Sequence, residues 1–172
     1  MRRHGGFTLV ELLAGIAIVA VLAVLIASAY KNILNSSGAA RCVTNMRSLH
    51  ASFAAYISDN DHWPQQPEFE PDEDEAYGEW WITTMHPYVQ SDSIWICPTL
   101  QSFGRMNPSS NQMRINYTPT LFDAFRNRPY QWPNMPWLIE AGNAHGKGAN
   151  VLFPDGSVRT YSDLLDSYQN AQ

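Results

Sequence analysis

One acidic residue lies inside the most apolar stretch of the chain. Glu11 is the only charged residue among the 23 residues from Phe7 to Ala29. A carboxylate placed in hydrocarbon costs several kcal/mol unless a cation pairs with it or a proton neutralises it. Cleavage between Gly6 and Phe7 would create an α-amine that can reach Glu11 of the same chain or of a neighbouring copy. The spacing therefore predicts a carboxylate–ammonium pair between adjacent helices, which would fix their axial register.

Two cysteines and a histidine–aspartate pair offer further chemistry. Cys42 and Cys97 predict either a disulfide formed outside the cytoplasm or two buried thiols that act as small hydrophobic side chains. His145 precedes Asp155-Gly156 with nine residues between the histidine and the aspartate. Metal sites usually take three or four protein ligands. We therefore expect Asp155-Gly156 to form a turn and His145 to hydrogen-bond within the fold.

Motifs typical of enzymes are missing from the sequence. It contains no Gly-x-Ser-x-Gly elbow, no phosphate-binding loop and no Cys-x-x-Cys. Cys97 with His86 or His145 would make a thiol–imidazole pair, but Cys97 follows Ile-Trp-Ile, where a structural cysteine is expected. The acidic run from Glu68 to Glu79 lacks the alternation and turn glycine of a calcium loop. We expect no enzymatic activity, no cofactor and no bound metal.

The apolar stretch that holds Glu11 is long enough to cross a membrane. Residues 7–29 would form roughly 35 Å of helix. A helix that is apolar on every side is poorly suited to the core of a small domain. Arg2 and Arg3 directly precede it, so the positive-inside rule predicts a single-pass protein with a cytoplasmic N-terminus and a head outside the inner membrane.

The six residues before the apolar stretch do not form an ordinary secretory signal. In such a signal the cleavage site follows the apolar core, whereas the candidate site after Gly6 precedes it. Residues 1–6 are therefore predicted to be a leader whose removal leaves the apolar helix on the mature chain. The net charge of −5 becomes −7 when Arg2 and Arg3 leave, which does not favour a nucleic-acid partner.

The helix is predicted to continue over residues 30–60, outside the membrane. Apolar residues then recur every three or four positions, which is helical spacing, and Asp59-Asn60-Asp61 before Pro64 ends the helix. A kink is predicted at Ser36–Gly38. The predicted apolar face holds Val43, Met46, Leu49, Phe53, Tyr56 and Ile57, and the polar face holds Arg41, Asn45, Arg47, Ser48 and Ser52.

Residues 61–172 are predicted to form a small α+β head. A solvated acidic loop over 65–79 precedes a short helix over 80–89, and a polar loop covers 101–112. Strands are predicted at 94–97, 115–118 and 137–141, followed by a hairpin around Asp155-Gly156 and a short helix over 162–168. Alternating βαβ units are missing, so the fold should be a long helix packed on a small antiparallel sheet. The six tryptophans and eight tyrosines fit either a core or a sugar-binding or partner-binding surface.

The sequence Gly6-Phe7-Thr8-Leu9-Val10-Glu11-Leu12 resembles the N-terminal signature of type IV prepilins and type II secretion pseudopilins. The resemblance implies a pilin-like fold, cleavage between Gly6 and Phe7 by a prepilin peptidase, and N-methylation of Phe7 by the same enzyme. Glu11 matches the assembly carboxylate of that signature. The implied partners are copies of the chain or paralogous pilins, an inner-membrane assembly platform and membrane lipid.

Motifs in the head resemble a pseudopilin-like family found in bacteria with many paralogues. They are the stretch from Cys42 to Leu49, Cys97-Pro98, and the His145-x9-Asp155-Gly156 element. We therefore expect a structural subunit of a type II secretion pseudopilus or type IV pilus-like filament, with a periplasmic head and a filament in the periplasm or at the cell surface. The alternative is a membrane-tethered envelope-binding module whose pilin-like helix serves export.

Overall fold

A computed structural model describes residues 9–70, 73–101, 115–122, 129–143, 145–146 and 148–170, without the side chains of 27–29 and 31–35. The chain divides into two compact units, Met1–Ser37 and Gly38–Gln172. The predicted leader over residues 1–6 and the predicted loop after Gln101 lie outside the described residues.

The first helix, α1, spans Leu9–Asn60 without interruption in its secondary structure. Its segment Leu9–Ile26 is long and apolar enough to cross a membrane, and all of that segment is exposed in the single chain. A core helix of a soluble protein would bury most of such a segment. The exposure therefore favours a helix whose natural surroundings are lipid or other apolar helices.

Beyond Gly38, α1 carries the predicted apolar stripe. Met46, Leu49 and Phe53 are fully buried, and Cys42 continues the same face. A Cβ on Gly38 would collide with the hydroxyl of Thr99, so the glycine permits close packing within the head. The helix ends at Asn60, as the polar residues there predict.

Two residues of the predicted polar face are buried or partly buried against the rest of the head. Ser52 is buried and donates a hydrogen bond to the carbonyl of Tyr88 (2.9 Å). The side-chain amide of Asn45 donates to the carbonyl of Ile96 (2.9 Å). The segment between Tyr88 and Ile96 therefore packs along that flank of α1, and the polar side chains satisfy backbone groups that would otherwise lose water.

Within the described residues, four short strands form the antiparallel sheet that the α+β prediction requires. They are β1 (Tyr117–Pro119), β2 (Leu138–Glu140), β3 (Asn150–Leu152) and β4 (Val158–Thr160). Their spatial order is the chain order, and each neighbouring pair is antiparallel. The predicted α+β fold, a long N-terminal helix with a small antiparallel sheet, is confirmed.

The predicted strand at 94–97 is wrong, because Asp92–Trp95 is a 3-10 helix. The Ser91 hydroxyl accepts a hydrogen bond from the Ser93 backbone N–H and so caps the turn. Trp95 is fully buried. Local capping and burial of one large ring thus outweigh the β-propensity of Ile-Trp-Ile.

The acidic loop is shorter than predicted, because helix α2 already begins within it. This helix spans Asp74–Met85, and its first turn contains Asp74 and Glu75. Negative side chains are favourable at a helix N-terminus, where the backbone dipole is positive. A 3-10 turn, His86–Tyr88, replaces the rest of the predicted helix over 80–89, since Pro87 cannot donate the backbone hydrogen bond that would continue it.

The core of the head is built on aromatic rings. Phe53 stacks on Trp63, with ring centroids 4.5 Å apart and an interplanar angle of 11°. Trp63 contacts Trp137 edge-on at 5.2 Å. Most of the tryptophans therefore serve the core, which favours that reading of the aromatic composition. The four fully buried tryptophans are Trp63, Trp81, Trp95 and Trp137.

The chain ends on a short helix packed against the last strand. This helix, α3, spans Tyr161–Gln169 and begins with a reciprocal cap between Thr160 and Asp163. In this cap each side chain bonds the other residue's backbone N–H, which satisfies two donors that a helix start leaves open. The short helix predicted over 162–168 is therefore present.

Candidate functional site

The N-terminal site is built on the first turn of α1. Glu11 lies in that turn and is exposed in the single chain, amid exposed apolar neighbours such as Val10 and Leu12. Gly6 and Phe7, the predicted cleavage pair, lie outside the described residues. Glu11 therefore lies near the start of α1, with its side chain at the surface of the single chain.

Cys42 and Cys97 form a disulfide that joins α1 to the segment after the 3-10 helix. Both cysteines are fully buried, and their Cα atoms lie 5.1 Å apart. The backbone N–H of Cys97 donates to the side-chain oxygen of Asn116 (2.9 Å), and the Tyr117 hydroxyl donates to the carbonyl of Cys42 (3.4 Å). Both cysteine backbones are therefore fixed by hydrogen bonds from the region of β1.

Glu140 and His145 lie directly beside this disulfide. Nε2 of His145 is 3.2 Å from Oε1 of Glu140 and 3.5 Å from Sγ of Cys97. The other carboxylate oxygen of Glu140 accepts hydrogen bonds from both the backbone N–H (3.1 Å) and the side-chain amide (2.7 Å) of Asn150. Glu140 is only 2% exposed, so two N–H groups of Asn150 and the imidazole of His145 replace the water that its carboxylate has lost.

Sequence reasoning missed Glu140, although its position carried a signal. In β2 the side chains alternate, with Leu138 and Glu140 buried and Ile139 exposed. Residues two apart in a strand share a face, so a strand that buries Leu138 must also bury Glu140. A buried glutamate needs partners. The sequence could not indicate that these partners are His145 and Asn150.

The cluster does not have the geometry of a nucleophilic triad. In such a triad the two nitrogens of the imidazole serve different partners, one the nucleophile and the other the orienting acid. Here Cys97 and Glu140 both approach Nε2 of His145. Sγ of Cys97 is also bound in the disulfide. The three residues therefore cannot relay a proton from the thiol through the ring to the carboxylate.

Tyr117 is affected by the same cluster. Its burial raises the pKa of the phenol well above the usual value, and the negative charge of Glu140 raises it further. The hydroxyl therefore stays protonated and continues to donate to the Cys42 carbonyl.

Asp155 and Gly156 form the predicted hairpin turn. Gly156 has φ +78°, and its N–H donates to the carbonyl of Phe153 (3.0 Å). The Asp155 carboxylate accepts from the Ser157 N–H (2.9 Å), and hydrogen bonds from Ser157 lower the pKa of Asp155. Asp155 thus bonds within the turn, whereas the described partners of His145 are Glu140 and Cys97.

Replacing Gly156 with alanine is expected to lower the free energy of unfolding by about 2 kcal/mol. A non-glycine residue at this φ costs about 1–2 kcal/mol, and a Cβ would stand 3.3 Å from the His50 ring. That ring cannot easily move, because it stacks on Trp137 and bonds the Pro154 carbonyl. Denaturant unfolding of the full chain in detergent micelles, followed by tryptophan fluorescence, measures the effect.

Gly146→Ala is the matched control for this substitution. Gly146 has a similar φ of +75°, but a Cβ there meets no atom of the described residues within 4 Å, its chain neighbours aside. Its expected cost is about 1 kcal/mol, from the backbone alone. Equal losses in the two variants would contradict a role for the His50 contact.

Comparison with known proteins identifies the N-terminal segment. Residues 1–27 match the family model described as the prokaryotic N-terminal methylation motif. A search of the curated proteins and a search of the solved structures each found no match. The resemblance to the prepilin and pseudopilin signature is thereby confirmed. The match ends at residue 27, so the likeness of the His145-x9-Asp155-Gly156 element to a family motif stays a prediction.

The motif over residues 1–27 and the exposed apolar helix support a type IV pilin-like or pseudopilin-like protein. A prepilin-type motif implies processing by a prepilin peptidase and assembly with other pilins. The apolar segment Leu9–Ile26, which is 18 residues long, favours anchoring in a membrane.

Proposed function

We propose that the chain is a structural, non-enzymatic subunit of a type II secretion pseudopilus or type IV pilus-like filament. The observation that carries this proposal is the methylation motif over residues 1–27, which includes the exposed apolar segment Leu9–Ile26. The peptidase cuts between Gly6 and Phe7 and methylates the new Phe7 amine. The mature helix then remains in the inner membrane, with the head in the periplasm, until the assembly platform adds the subunit to a filament.

Assembly follows from the same physical chemistry. An exposed apolar segment removed from lipid is stable only where other apolar surfaces cover it, and neighbouring helices of identical subunits supply such surfaces. Glu11 then lies in a low-dielectric bundle. The Phe7 amine of an adjacent subunit neutralises it and fixes the axial stagger between the helices.

Mass spectrometry of the N-terminus tests the processing. The protein purified from its native membranes is expected to lack Met1–Gly6 and to begin with a methylated Phe7. An intact leader, or a cut beyond the apolar segment, would contradict processing by a prepilin peptidase.

Cysteine cross-linking tests the assembly and separates it from the alternative. Val19→Cys and Val21→Cys introduced together place thiols on nearly opposite sides of an exposed stretch of α1, so oxidation should give a ladder of cross-linked subunits. Each single variant should stop at dimers. If the protein is instead a tethered envelope-binding module, oxidation should give no ladder. The exposed aromatic side chains of Tyr130 and Trp132 are the observation that favours this alternative.

A further inference from the structure

The two cysteines of the disulfide, Glu140 and His145 bring together four side chains of the types that bind metals. One ligand atom from each of Cys42, Cys97, Glu140 and His145 lies within 4.8 Å of the others. Three of these residues are buried outright, and the His145 side chain is 7% exposed. These four side chains can bind a cation, and they come from α1, β2 and two loops. Side chains of this kind are unusual in the buried core of a small domain that is rich in aromatic residues. We propose that the chain with both cysteines as thiols binds one Zn²⁺ here.

Two edges of the cluster match those of a zinc tetrahedron. Zinc bonds of about 2.3 Å to sulfur and about 2.0–2.1 Å to nitrogen or oxygen give tetrahedral edges of roughly 3.6 Å for S···N and roughly 3.3 Å for N···O. The observed edges are 3.5 Å between Cys97 Sγ and His145 Nε2, and 3.2 Å between His145 Nε2 and Glu140 Oε1. Once the disulfide is open, the sulfurs need a separation of roughly 3.8 Å.

The donor set selects the class of metal. Two thiolates, one imidazole nitrogen and one carboxylate oxygen suit zinc, whereas calcium and magnesium require oxygen ligands. Four protein ligands complete the tetrahedron and leave no open position for substrate. The site is therefore structural, like the disulfide that occupies the same place.

The surroundings hold the ligands in place. Asn150 donates two hydrogen bonds to the carboxylate oxygen of Glu140 that faces away from His145. Asn116 fixes the backbone of Cys97. Hydrogen bonds of this kind orient metal ligands and are costly to remove. Nδ1 of His145 has no hydrogen-bond partner among the described residues, so the polar contacts described for this ring are those of Nε2 with Glu140 and Cys97.

The metal and the disulfide are two exclusive states of one pair of cysteines. Zn²⁺ binding converts two thiols to thiolates and releases two protons. Oxidation of the same thiols by thiol–disulfide exchange transfers their two electrons and two protons to a disulfide-bearing oxidant, which leaves as a dithiol. The reverse exchange, in which a dithiol donor attacks the Cys42–Cys97 disulfide and leaves as a disulfide, returns the two thiols. Cys42 and Cys97 are thus linked in both states, through the metal ion in one and through the disulfide bond in the other.

Cobalt titration of the full chain in detergent micelles tests the site. The chain is reduced with a phosphine, freed of metal and titrated with Co²⁺, which reports tetrahedral thiolate ligation by its charge-transfer and visible absorption. One equivalent should bind, and Zn²⁺ should displace it. His145→Ala and Glu140→Gln should each weaken binding at least tenfold. His86→Ala, which alters an exposed histidine outside the cluster, should not weaken it, and the oxidised chain should give no cobalt–thiolate band.

Circular dichroism measures the secondary structure of the same samples. The test therefore also gives a result when reduction or a substitution unfolds part of the chain. A reduced chain that loses structure and regains it with one equivalent of Zn²⁺ supports the site, because metal binding then supplies folding energy. A reduced chain that gives no cobalt–thiolate band, folded or not, overturns the proposal. So does a band that is unchanged in both His145→Ala and Glu140→Gln, since the thiolates alone would then bind the metal.

Discussion

Replacing Glu11 with alanine is expected to abolish filaments while leaving processing intact. The cleavage site precedes Glu11, so the N-terminus should still be a methylated Phe7. In the proposed filament, this variant lacks the charge that pairs with the amine of a neighbouring subunit and so lacks the contact proposed to fix the axial register. An interaction worth several kcal/mol in an apolar bundle corresponds to more than a tenfold loss at each step of assembly. The yield of sheared filaments, counted by electron microscopy and immunoblotting, measures the effect.

Three variants separate charge from packing at this position. Glu11→Gln keeps the shape of the side chain without its charge and should fail like Glu11→Ala. Glu11→Asp keeps the charge on a shorter side chain and should give an intermediate yield. Val10→Ala, which alters an exposed neighbour in the same turn, should assemble nearly normally. Normal filaments from processed Glu11→Ala would refute the assembly role of the carboxylate.

The features that the sequence predicts well are those set by local periodicity or turn chemistry. The buried stripe of α1 follows from helical spacing, and Met46, Leu49 and Phe53 are where that spacing places them. The hairpin at Asp155-Gly156 follows from the need for a positive φ at one residue. In both cases the residues that decide the structure are close together in the chain.

The features that the sequence predicts poorly depend on partners that are distant in the chain. Ser52 looks solvated on a helical wheel, yet it is buried because the carbonyl of Tyr88, 36 residues away, meets it. Glu140 stays in the core because Asn150 of β3 and His145 of the loop before β3 contact its carboxylate. The spacing of apolar residues indicates which face of a helix or strand a residue occupies. It does not indicate which group packs against that face. For this reason the cluster of Cys42, Cys97, Glu140 and His145 became visible only in the structure.

Substituting alanine for both Cys42 and Cys97 is expected to lower the free energy of unfolding by about 4 kcal/mol. The disulfide closes a loop with a sequence separation of 55, and the chain-entropy model gives about 4 kcal/mol for a loop of this length. This is a large share of the stability of a typical domain. Alanine is preferred to serine because both positions are fully buried and a hydroxyl there would lose its water. Denaturant unfolding of the oxidised full chain in micelles, with and without the substitutions, measures the loss.

The reduced wild-type chain separates the cross-link from the packing of the sulfur atoms. It keeps both side chains but lacks the covalent bond, so without metal it should be nearly as unstable as the double variant. Zn²⁺ should then restore stability to the reduced wild type and not to Cys42→Ala/Cys97→Ala, because only the former retains the two thiolates. An unchanged unfolding midpoint in the double variant would contradict the stabilising role of the disulfide. Restoration of both chains by Zn²⁺ would place the metal elsewhere than at these cysteines.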